Sequence, residues 1–192
     1  MSSTWLVDAE NPLLTEPVLA RMGDATRADR LAWNTFRTLA LWETDVWVPR
    51  VLGIACGEGT PLAAVEWGGA SIVPWAAGLE LDGVTDVVLD GPEALVVIGA
   101  TLAADFPASE PPGLLEVVAE AAGESREAGF LVVVAPGAED VEVTGDGRTG
   151  WLTWTELGTV ALDLAEEGDE LRGEQVHRLV DQLQQRFPGT EL

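Results

Sequence analysis

The chain has 192 residues, 47% of them hydrophobic, with 33 acids against 10 basic residues and a formal charge of -23. That is enough for one ordinary domain with a core, short for two, and too apolar for a mostly disordered protein. All ten basic residues are Arg and no Lys or Tyr occurs, which excludes mechanisms that need a lysine: Schiff bases, lysine-dependent phosphate loops and lysine-assisted phosphodiester cleavage.

Three readings of the acidity stand side by side: compositional drift, adaptation to high salt, and mimicry of nucleic acid. The acids are spread through the chain rather than gathered in one tract, which favours the first. A surface of this sign repels a phosphate backbone, so direct nucleic-acid binding is not expected. Arg21, Arg27, Arg30, Arg37 and Arg50 crowd the first fifty positions. Between Val51 and Ser125 there is no Arg, Lys or His, against twelve acids. The single cysteine, Cys56, forms no internal disulfide, which fits a reducing compartment. Cys56 and the lone His177 are too few for a structural zinc site. Met1 to Glu10 offers neither a basic region nor an apolar run, so no signal peptide is expected. No uncharged stretch reaches the length of a membrane span. A cytoplasmic protein without a membrane segment is the expectation.

Residues 1–26 read as an irregular arm, with Pro12 and Pro17, ahead of a single α/β domain over 27–192. Asp24 or Thr26 is a candidate cap for a helix running into the early forties. Its apolar face is Leu31, Thr35, Leu39, Trp42 and Val46, with Arg27, Arg30 and Arg37 opposite. Pro49 stops that helix or follows its end. Strands are expected over Leu62–Trp67 and Ser71–Trp75, broken by Gly68-Gly69, and more clearly over Val84–Leu89 and Leu95–Ala100. Asp90-Gly91-Pro92-Glu93 is turn chemistry between the last two. Their near-continuous apolar character predicts strands covered on at least part of both faces.

Leu102 to Pro112 reads as a loop, and Leu114 to Ala128 as a helix burying Leu114, Val117, Val118, Ala121 and Ala122. A buried strand follows over Phe130–Val134, ended by Ala135-Pro136-Gly137. Residues 137–150 read as an acidic loop or weak hairpin. Thr153-Trp154-Thr155-Glu156 is a capping-box pattern opening a helix with Leu157, Val160, Ala161 and Leu164, ended by Gly168. A last helix spans about 173–187, with Val176, Leu179, Val180, Leu183 and Phe187 inward. The order is helix, strands, helix, strand, helix, helix: a small mixed β-sheet flanked by helices.

That order, with AWNTFRTLALWE (32–43), TDVVLDGPEALVVIGAT (85–101), GFLVVVAPG (129–137) and WLTWTELGTVALDLAE (151–166), resembles the PD-(D/E)XK nuclease-like, or restriction endonuclease-like, superfamily. The resemblance covers about 29–187. It implies a metal site made by an Asp at one strand start and a Glu or Asp on the next strand. A Lys two residues on handles the attacking water, and metal and lysine together offset charge developing on the phosphate. Asp86 stands at the position of the family's first Asp, and Glu43 resembles the helix acid some members add. The next strand departs from the pattern: Gly99 stands where the metal-binding acid belongs, and Thr101 where the lysine belongs. Glu80, Asp82, Asp90 and Glu93 are the acids available to rescue a metal site, although Asp90 and Glu93 read as solvated turn residues. Arg is no general base at ordinary pH, and the segment has none.

The resemblance therefore implies a catalytically degenerate member with a vestigial site at Asp86, Gly99 and Thr101. It is expected to act through a protein partner or through self-association, a homodimer included, and no cofactor is expected. Mg2+ is expected only for residual nuclease activity, with Asp86 as its ligand.

Two alternatives accompany this reading. One is a weak divalent-metal-dependent nuclease. The other rests on Val51 to Gly59, which looks like the strand-to-Gly-rich-turn motif of S-adenosylmethionine-dependent methyltransferases, with Gly53–Gly59 as the turn and Gly53 where those enzymes carry an acid. His177 reads as a surface histidine without triad partners, and Cys56 as a buried structural thiol. Of the Trp residues, Trp33, Trp42, Trp47, Trp67, Trp75, Trp151 and Trp154 read as mostly core; exposure of Trp42 or Trp47 beside the Arg face would mark a protein-binding surface.

Overall fold

The computed structural model describes residues 27–74, 85–102, 114–137, 147–190 and 192, with backbone alone at 27–29, 74, 85, 86 and 114. The arm at 1–26, its candidate caps Asp24 and Thr26, Trp75, most of the 102–112 loop and residues 138–146 lie outside them.

Six helices and five strands occur among the described residues. The helices are α1 (Arg27–Leu39), α2 (Thr44–Cys56), α3 (Pro61–Ala64), α4 (Leu114–Ala122), α5 (Trp154–Glu166) and α6 (Glu170–Arg186). The strands are β1 (Ser71–Pro74), β2 (Thr85–Asp90), β3 (Ala94–Ala100), β4 (Glu127–Val134) and β5 (Thr149–Thr153). They form one sheet in the order β1-β2-β3-β4-β5. The β1–β2 and β2–β3 pairs are antiparallel, and the β3–β4 and β4–β5 pairs are parallel. The fold is thus α/β with a mixed sheet flanked by helices. The Gly91 to Glu93 turn closes the β2–β3 hairpin, with the Gly91 N–H bonded to the Ala94 carbonyl at 2.9 Å.

Alternation along the strands divides the core in two. Val87, Leu89, Val96, Ile98, Leu131, Val133 and Leu152 share one cluster with α1, α2, α3, α5 and α6. Val88, Leu95, Val97, Phe130, Val132 and Val134 share the other with Val118 and Ala122 of α4. Every residue of β3 is buried, so the expectation of cover on both faces holds there.

Four expected elements are corrected. The long first helix is two helices. Leu41 and Trp42 turn their N–H groups back three residues, to Thr38 and Leu39, which tightens the end of α1. Glu43 is then extended (φ -59°, ψ 145°) and opens α2. Pro49 lies inside α2 rather than ending a helix, at the loss of one bond to the Asp45 carbonyl. Leu62–Trp67 is no strand: Pro61 takes the first position of a helical turn, and the Trp67 indole folds back to donate to the Leu62 carbonyl at 3.1 Å. The 114–128 helix stops at Ala122, because Gly123 adopts φ +77° and its N–H closes on Ala119. Within the helix the buried stripe is narrower than expected: Val118 and Ala122 pack on the sheet while Val117 and Ala121 are exposed. Residues 149–153, expected as the end of a loop and the approach to a helix, form β5.

The capping box at Thr153 is present in full. Its hydroxyl accepts from the Glu156 N–H at 3.2 Å, and the Glu156 carboxylate accepts from the Thr153 N–H at 2.6 Å. No helix among the described residues is long and apolar enough to cross a membrane.

Candidate functional site

The β2–β3 register sets Asp86 directly opposite Gly99 and Thr85 opposite Ala100. On β3's other side Gly99 pairs with Val132, which in turn pairs with Trp151 on β5. The antiparallel hairpin therefore brings two of the three positions singled out in the sequence, Asp86 and Gly99, onto adjacent strands. At this row β3 contributes a hydrogen where a metal site needs a carboxylate. Gly99 is buried, in step with Val97 on the α4 side of the sheet.

Thr101 lies just past the end of β3 and is 8% exposed. Its N–H donates to the Val133 carbonyl at 2.9 Å. Its own carbonyl accepts from the Trp154 indole N–H at 2.8 Å, in a fully buried bond. This position ties β3 to β4 and to the start of α5. Its hydroxyl brings no positive charge to a phosphate.

The acids considered as replacements serve other ends. Asp90 accepts from Arg126 Nη1 at 2.6 Å. The same guanidinium donates through Nε to the Ala122 carbonyl at 2.9 Å and through Nη2 to the Ala121 carbonyl at 3.2 Å. Arg126 thus closes the C-terminal end of α4 and anchors it to the hairpin turn. Glu93 Oε2 accepts from the Glu66 N–H at 3.1 Å, and the Glu93 carbonyl accepts from the Glu127 N–H at 2.8 Å. Glu80 and Asp82 lie outside the described residues. Glu43 is exposed at the cap of α2, in the helical layer over the face opposite Gly99, so the fold does not bring it to the Asp86–Gly99 row. Among the described residues no group of three or more His, Cys, Asp or Glu is placed to hold a metal ion.

The Val51 to Gly59 segment is corrected: Val51 to Cys56 is the second half of α2, not a strand, and the helix closes with the Gly57 N–H on the Gly53 carbonyl at 3.1 Å. Val51, Leu52 and Ala55 pack into the core at helical spacing. The adjoining glycine that matters is Gly150, where β5 presses on this helix. A Cβ there would stand 2.4 Å from the Ala55 carbonyl oxygen and 2.7 Å from Cys56 Sγ. Close helix–sheet approach, not approach to a ligand, is what this glycine serves.

Cys56 is half-buried rather than buried. His177 is exposed on α6, with Nδ1 2.7 Å from the Gly173 carbonyl one turn back. Trp33, Trp42, Trp47, Trp67 and Trp154 are buried, Trp47 and Trp154 completely, and Trp151 is half-buried. Neither Trp42 nor Trp47 therefore offers the exposed surface that an interaction role required. Two contacts around the site were not foreseen, Arg126 to Asp90 and Trp154 to Thr101. Their partners lie 36 and 53 residues apart, and no local spacing announces them.

No family model matches this chain, and neither the curated proteins nor the solved structures contain a match to it.

Proposed function

We propose that this chain is a non-catalytic protein of restriction endonuclease-like fold that acts by association, with a protein partner or with a second copy of itself. The observation that carries the reading is the pairing of Asp86 with Gly99. One carboxylate position remains and the strand beside it supplies no second one. Two residues on, the Thr101 main chain bonds the Val133 carbonyl and the Trp154 indole, and its side chain carries no charge. Phosphodiester hydrolysis on such a scaffold needs a metal held by several acids and a lysine that handles the attacking water, a task Arg cannot take over as a base. The chain has no lysine anywhere to meet the second need.

Element order supports the same reading: a helical layer, an antiparallel β1-β2-β3 run, the α4 crossover and a parallel β4 follow the order on which the resemblance was drawn. The charge of -23 supports protein rather than nucleic acid as the partner. Residence in the cytoplasm is part of this proposal and rests on the single cysteine.

Titration calorimetry with Mg2+ and Mn2+, run beside a plasmid-cleavage assay, tests the catalytic half. The expected outcome is neither binding heat nor cleavage. Metal-dependent cleavage that disappears in Asp86→Ala overturns the proposal. Sedimentation over a wide concentration range tests self-association, with a mass that rises with concentration as the positive result.

A further inference from the structure

We draw no further inference here: the strongest candidate, the exposed Leu41 and Leu171 flanking the Trp42–Arg172 contact, where the turn between α1 and α2 meets the start of α6, carries nothing because nothing in the structure shows what covers it.

Discussion

Among the described residues, the face of the sheet that carries Ile98, Leu131 and Leu152 lies under five helices, whereas the face that carries Val97, Phe130 and Val132 lies under the nine residues of α4. The thicker side holds most of the large, fully buried side chains, Trp47, Trp67 and Trp154 among them. Burial of apolar area stabilises by about 25 cal/mol per Å², so most of the folding energy belongs to that side. Gly99 belongs to the other. Stability and the Asp86–Gly99 row are therefore carried by opposite faces of one sheet, joined at Thr101, where the Trp154 indole from the thick side holds the end of β3.

Trp154→Ala is the strongest challenge to that division. It empties a fully buried site and leaves the Thr101 carbonyl without its indole donor. A loss of about 3–5 kcal/mol is expected from the cavity alone, with more from the orphaned acceptor. Denaturant titration measures it. A loss below about 2 kcal/mol would mean that the thick face does not dominate stability.

Gly150→Ala probes the same face where β5 meets α2. The added carbon collides with backbone at Ala55, which cannot rotate away as a side chain can. Overpacking of this kind costs about 1–3 kcal/mol, and thermal denaturation reports it. A variant as stable as the parent would show that α2 can shift along the sheet.

Val118→Ala makes the matching cut on the thin face, where Val118 of α4 is fully buried. About 1–2 kcal/mol is expected from the lost methyl groups. Hydrogen exchange sharpens the contrast: amides of α4 should exchange before those of α5, because fewer elements hold α4 in place. Matching rates would collapse the two faces into one cooperative unit.

The comparison also explains what the sequence made legible. β3 reads as an unbroken apolar run because both faces are covered, and both clusters do claim its residues. The start of α5 was legible because a capping box is local, requiring only Thr153 and Glu156 three residues apart. β5 was not. Gly150 looks like a turn residue in a sequence, and its real reason, contact with Ala55, is 95 positions away in the chain. The break after Leu39 was equally hidden, because Leu31, Leu39, Trp42 and Val46 keep helical spacing across a turn that tertiary bonds impose, including that from Thr44 Oγ1 to the Trp67 carbonyl at 2.6 Å. Asp86 and Gly99 were singled out through the resemblance and not as a pair; the short Gly91 to Glu93 turn is what fixes the register that sets them opposite. Glu43 was misplaced with the helix it was assigned to.

The smallest expected effect has the opposite sign and lies within the thick face. Thr35 is fully buried on α1, and its hydroxyl has no hydrogen-bond partner; the Trp47 indole N–H on α2 is in the same position. A buried polar group left unpaired costs about 1–3 kcal/mol. Thr35→Val keeps the branched shape and the helix preference of the side chain while removing the hydroxyl. A gain of about 1 kcal/mol is expected in denaturant titration, with the midpoint moving and the slope unchanged. A loss of similar size would instead place an ordered water at the hydroxyl, and the thick face would then owe part of its stability to a polar contact within its apolar packing.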